Sequence, residues 1–375
     1  PTARILIAAR VLQAVTAATL TPQVLAIIRV EFAPRERALA IGLYGTSMGL
    51  ASIFAQLVGG SLVSLDLFGW SWRTIFLVNV PIGLAAIGFG LRVIPESRGS
   101  SRPSLDLMGM ALASCGLFLL IFPVVQGREA GWPGWSLILL AAAFPVMATV
   151  LYYERYVARI GRTPLLALHL LRVGTVGLGL LIGATFLFGL AVFFVVLTVF
   201  FQAGSGFSAL ATGLLFLPFA IGFSIASSLS GAVTARIGPR ILALGTCLMA
   251  FGLAGIIAWS AFGPTPLDLR IVLPLFLLYG TGQGLAQPAV INVVVGSSGV
   301  EGEEAGAAAG MFLTTAQSAA ALGVAVIGDV FFGMLGTNPG PTDYRYALVA
   351  ALSCNLLLIV VTFALSLRVP QHRSS

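Results

Sequence analysis

The sequence contains no lysine, and all 20 of its basic side chains are arginines. That absence alone rules out the phosphate loop Gly-x-x-x-x-Gly-Lys-Ser/Thr, so no ATP-driven step of that kind is implied. Charge of either sign is scarce: 9% of the 375 residues are charged and 58% are hydrophobic. A water-soluble globule could not cover itself with so little polar surface, which leaves lipid as the solvent. Histidine and cysteine are nearly absent as well. His169 and His372 lie at the edges of apolar runs, and Cys115, Cys247 and Cys354 fall in three different runs. No metal site, cofactor site or disulfide framework is expected from that spacing. An embedded enzyme would need a cluster of Cys, His and acids within the runs, and none is visible.

What the chain does have is long apolar runs, such as 178–201. A membrane β-barrel would show short alternating segments, whereas a run of roughly twenty residues is the length of a spanning helix. The fold class expected is therefore all-α, a polytopic membrane helical bundle. Gly, Pro and charged residues divide the chain into about eleven runs: 4–29, 37–65, 73–94, 105–126, 134–157, 173–202, 208–235, 240–262, 270–296, 304–334 and 344–368. The longer ones exceed the bilayer thickness and imply tilt or extension beyond it.

The net charge of +7 does not point to nucleic acid, because the arginines sit in the short gaps between runs. Sorted by alternate gaps, most of them, including Arg29, Arg35, Arg92, Arg155, Arg236, Arg240 and Arg368, fall on one side. The positive-inside bias makes that side cytoplasmic, with the C-terminus there and the N-terminus outside. The chain opens on Pro1 and shows no signal-peptide cleavage pattern, so the first run is read as a full span. An odd number of spans upstream is then expected.

One repeat stands out. Gly45, Gly49, Ala55 and Gln56 in the second run recur at a constant offset as Gly306, Gly310, Ala316 and Gln317 in the tenth. Two halves related by a parallel repeat would produce this, with each Gly pair allowing a neighbouring backbone to approach. The alternative is the general abundance of small residues in membrane helices. A weaker echo links the first run, through Pro22, with the ninth, which carries Gly280, Gly282, Gly284 and Pro288.

These residues resemble the major facilitator superfamily, and in particular its fourteen-helix drug:proton antiporters. Arg10, Gln13 and Ala14 are similar to the Arg-x-x-Gln-Gly signature of the family's fourth helix, with Ala14 in place of Gly. The stretch from Gly45 to Gly59 and Gly60 resembles the antiporter motif of the fifth helix, with Ala55 and Gln56 standing for Gly-Pro. Trp72, Arg73, Phe76, Asn79, Val80, Pro81 and Gly83 are similar to the string that opens the sixth. Gly231, Arg236, Gly238 and Arg240 resemble the second copy of the cytoplasmic gating motif, with Ala235 for Asp. The resemblance implies three parts: 1–103 as the remainder of an N-terminal bundle, 104–163 as two additional linker helices, and 164–375 as a C-terminal six-helix bundle. It also implies that the family's first three helices lie upstream, and that a chain without them does not transport by itself.

The function implied is proton-coupled efflux of lipophilic or cationic small molecules by alternating access. It would operate in a plasma or inner membrane, as a monomer, with the lipid bilayer and protons as the other partners. A metabolite or nutrient symporter of the same fold is the rival reading, and a non-transporting membrane protein the third.

Arg10 and Asp329 are the candidates for proton handling. Arg10 lies inside the first span, where an isolated guanidinium costs several kcal/mol unless it snorkels or meets a partner. Asp329 is a carboxylate in an otherwise apolar stretch of a late span, though near its external end, where an interfacial role is the alternative. Candidate cavity residues are Gln13, Gln56, Gln283, Gln287, Asn292 and Gln317, which could orient a ligand or bond between helices, with Phe186, Phe193 and Phe194 as aromatic surface. Gly45, Gly49, Gly59, Gly60, Gly231, Arg236, Gly238, Arg240, Gly306 and Gly310 are assigned packing and conformational roles. Glu301, Glu303 and Glu304 suit the positive N-terminal end of the tenth span.

Overall fold

The computed structural model describes residues 3–32, 58–62, 69–70, 73–94, 106–127, 130–161, 164–173, 175–263, 268–295, 303–336 and 338–370, with scattered positions between 36 and 66. The described residues lie mostly in helices, with no strand among them. In chain order these are α1 (Ala3–Glu31), α2 (Thr74–Val93), α3 (Leu107–Gly127), α4 (Gly134–Arg159), α5 (Val176–Gly204), α6 (Ala209–Ile237), α7 (Arg240–Phe262), α8 (Leu269–Val295), α9 (Glu303–Met334) and α10 (Pro341–Ser366). From α2 onward, nine helices among the described residues are long and apolar enough to cross a membrane. α1 covers the first expected run, while most of the second, 37–65, lies outside the described residues.

The breaks follow local chemistry. Gly238, at φ 62°, takes the left-handed conformation that ends α6, and its N–H closes on the Thr234 carbonyl at 2.8 Å. Ser208 caps α6 by accepting the Ala211 N–H at 3.1 Å. Asp106 does the same for α3, accepting the Gly109 N–H at 2.8 Å. The C-terminus of α7 is covered from another helix: Arg345 of α10 donates through Nε to the Ser260 carbonyl at 2.7 Å and through Nη2 to the Gly263 carbonyl at 2.8 Å. A guanidinium there satisfies carbonyls left over at the helix end and opposes its negative dipole.

α5 to α10 pack as a bundle, and α3 and α4 pair as a hairpin that touches it through α3 and α9. α5 is apolar on every side, as a helix surrounded by protein and lipid should be. The tightest contacts run along α8, which lies between α6 and α7. Gly280 sits against the Phe219 carbonyl and Gly284 against Phe223 and Ala226 of α6. On its other side, Gly282 faces Gly245 of α7. A Cβ on Gly245 would come within 2.6 Å of the Gly282 carbonyl oxygen, so neither position has room for a side chain. The glycines of the ninth run thus act as backbone-contact positions, as small residues do between membrane helices.

Gly282→Val and Gly284→Val are each expected to destabilise the protein by about 1–3 kcal/mol through overpacking. Thermal melting in detergent reads this, with Gly231→Val as the control, since no described atom lies within 4 Å of a Cβ built there.

Candidate functional site

In the N-terminal part, two of the motifs meet. Arg10 on α1 donates through Nη1 to Gln13 Oε1 at 3.0 Å, one turn further along the same face. Its guanidinium carbon lies 4.5 Å from the centre of the Phe76 ring on α2. A cation over an aromatic face outside bulk water is a favourable arrangement, and this one ties the Arg-x-x-Gln signature to the Trp-Arg-x-x-Phe string. Gly60 is buried, and a Cβ there would be 2.9 Å from the Cα of Leu210 at the start of α6. Gly59 has no described atom within 4 Å of its Cβ position. Gly45, Gly49 and Gln56 lie outside the described residues.

The C-terminal bundle carries a line of polar groups through its interior. Thr362 of α10 donates to Thr185 Oγ1 of α5 at 2.9 Å. Farther along both helices, Asn355 Nδ2 donates to the Gly189 carbonyl at 3.1 Å, and the Asn355 amide and the Tyr279 hydroxyl of α8 hydrogen-bond each other. One turn from Tyr279, Gln283 is 2% exposed and its Oε1 has no partner among the described residues. Buried amides and hydroxyls at these positions link α5, α8 and α10 where apolar contact alone would not select a register.

Aromatic rings surround that line. Phe193 stacks on Tyr279 at 4.4 Å between ring centres and meets Phe194, Phe219 and Phe276. Phe186 and Phe193 are fully packed between helices, and Phe194 is half-buried. These rings form the bundle's core, and in this conformation Phe194 is the one of the three with surface to spare.

The remaining expected residues fall elsewhere. Gln287 is half-buried and Asn292 exposed on α8. On α9, Gly306, Gly310, Thr314 and Gln317 are all exposed along one face, and no described atom lies within 4 Å of a Cβ on either glycine. That stripe is small and polar and lies open rather than against a described backbone. Asp329 is half-buried near the end of α9. Arg236 and Arg240 are exposed on either side of Gly238, at the turn between α6 and α7.

The sequence reading missed Tyr279, Asn355, Asp106, Tyr153 and Glu154. Asn355 carried a usable signal as a lone amide in an apolar run. Glu154 lies within the run 134–157, but its neighbour Arg155 makes it look like an ordinary interfacial charge.

Comparison with known proteins agrees with this architecture. The family model described as Major Facilitator Superfamily matches residues 1–324. The chain belongs to the major facilitator superfamily. It is thus a member of a family of transporters, not of enzymes, and its helices form a membrane bundle of that family's type. Among its relatives, the probable actinorhodin transporter of Streptomyces coelicolor is 36% identical over 337 residues, 89% of this chain and 57% of that protein. The tetracenomycin C resistance and export protein of Streptomyces glaucescens is 32% identical, over 87% of this chain and 59% of its own length. The puromycin resistance protein of Streptomyces alboniger is 32% identical, over 95% and 71%. The chain spans less than two thirds of the length of the first two.

Asn355→Leu is expected to cost about 1–3 kcal/mol, because the buried Tyr279 hydroxyl loses its partner. Thermal melting in detergent measures it, and adding Tyr279→Phe to that variant should recover part of the loss.

Proposed function

We propose that the protein exports drug-like small molecules, lipophilic or cationic, in exchange for protons, by alternating access in a cell membrane. The observation that supports this most is the similarity, over 87–95% of the chain, to proteins named for antibiotic export or resistance. The geometry is consistent with it. Arg10 and Gln13 form a polar group on α1 in contact with α2, and an open small-and-polar stripe runs along α9. Buried polar bonds tie α5, α8 and α10 into a unit that can move as one body.

Within this reading the chain divides at 1–103, 104–163 and 164–375, the C-terminus is cytoplasmic, and the protein works as a monomer. Arg10 and Asp329 handle the coupling proton. Gln13, Gln56, Gln287, Asn292, Gln317 and Phe194 contribute to the substrate path, and Gln283 closes its inner wall with Phe186 and Phe193 behind it. Gly60 holds α6 close to the second span, Gly45, Gly49 and Gly59 leave room for a neighbouring helix, and Gly306 and Gly310 keep the open stripe of α9 free of side chains. Gly238 sets the turn that positions Arg236 and Arg240, and Gly231 precedes it on α6.

Everted vesicles carrying the full-length protein should accumulate a fluorescent cationic dye when a proton gradient is imposed. Accumulation in intact cells instead would favour the symporter reading. Asp329→Asn is expected to abolish the gradient-driven component, and Arg10→Lys to reduce it, since an ammonium does not reproduce the planar contact with Phe76 and Gln13. Unchanged transport in either variant removes that residue from the mechanism.

A further inference from the structure

The α3–α4 hairpin is closed at one end by three side chains that the transport reading does not use. Asp106 Oδ1 accepts two donors, the Gly109 N–H at 2.8 Å and the Tyr153 hydroxyl of α4 at 2.9 Å. Beside Tyr153, Glu154 is 1% exposed, and its Oε2 accepts the Leu166 N–H at 3.0 Å. That bond fastens the hairpin to the segment leading into α5. Each carboxyl group is left with one oxygen, Asp106 Oδ2 and Glu154 Oε1. Both are buried, and neither has a hydrogen-bond partner among the described residues.

The two free oxygens converge on one spot. A Cβ built on Gly109 would lie 2.5 Å from Asp106 Oδ2 and 3.0 Å from Glu154 Oε1, so both oxygens rest over the bare Cα of that glycine. Two ionised carboxylates facing one another out of water would repel, and each would bury an unsatisfied acceptor. One proton removes both penalties, because it turns the meeting of two acceptors into an O–H···O⁻ bond.

The other bonds indicate which group carries it. Asp106 caps the first turn of α3, accepts two hydrogen bonds on one oxygen, and sits at the positive end of the helix dipole. It is suited to remain the acceptor. Glu154 is the more deeply enclosed, at 1% exposed, so loss of water disfavours its charged form most, and the single backbone N–H of Leu166 on Oε2 leaves Oε1 free to carry the proton. We propose that Asp106 and Glu154 form a proton-holding carboxyl pair, in which Glu154 Oε1–H donates to Asp106 Oδ2 and latches the hairpin to the entry of α5. Tyr153 completes the cluster from α4, and Arg155 and Arg159 on the same helix are exposed. The pair is built from the hairpin's own geometry, whatever the protein transports.

Amide substitution tests it, using thermal melting of the purified full-length protein in detergent. Glu154→Gln puts an N–H donor where the pair holds its O–H, so its melting temperature should match the wild type, whereas Glu154→Ala should lower it. The double variant D106N/E154Q sets two donors face to face and should melt below either single amide variant. Exchanging sodium for choline at constant ionic strength should leave the wild type unchanged. If Glu154→Gln melts as low as Glu154→Ala, the charge on Glu154 is required and a cation or an arginine side chain occupies the spot, which overturns the proposal. A double variant as stable as the wild type, or a sodium-dependent shift, overturns it equally.

Discussion

Inside a bilayer no water is at hand to complete an unpaired backbone group, and lipid tails attract apolar side chains as well as a neighbouring helix does. Helices in this setting hold one another through close backbone approach and through a few internal polar bonds. α8 shows the first device most plainly. Its glycines at positions 280, 282 and 284 point alternately toward α6 and α7, and both neighbours come near enough that a methyl group would collide with a main-chain atom. α10 packs on α7 and α5, and α9 packs on α5, to complete the C-terminal bundle.

The second device is the polar line from Thr362 and Thr185 to Asn355, Gly189 and Tyr279. Each bond is modest, but each has a direction, and so it selects one rotation and one height for helices whose apolar surfaces would fit in several. The aromatic rings around Phe193 fill the space that these bonds define. The alternating-access movement proposed for this protein needs such units, which keep their internal contacts while the surfaces between them change. The α3–α4 hairpin has its own fastening, through Glu154 to Leu166, and is joined to the bundle by a different chemistry from that inside it.

Much of the fold could be read in advance. The apolar runs are long, the gaps between them are short, and every backbone in lipid must close its own hydrogen bonds, so helices and their approximate limits follow directly. Candidate residues were less legible. The proximity of Arg10 and Gln13 follows from their spacing on one helix, whereas the Phe76 ring over Arg10 depends on how α1 and α2 lie together. Phe186, Phe193 and Phe194 read alike in the sequence, yet two of them are enclosed and one keeps some exposure. Nothing local distinguishes them, because in a helix that is apolar all round the pattern does not say which side meets protein.

The lysine-free, charge-poor composition determined that this chain spans a membrane as helices, and the spacing of its motifs was enough to indicate the transporter family. Those properties are local, set by solvent and by backbone geometry within single helices. The tertiary structure alone decided that Gly282 meets Gly245, that Asn355 reaches Tyr279, and that Glu154 and Asp106, far apart in the chain, present their free oxygens to the same glycine. Such pairings depend on the rotation and offset between helices, which are fixed by many weak contacts at once and leave no periodic trace along the chain.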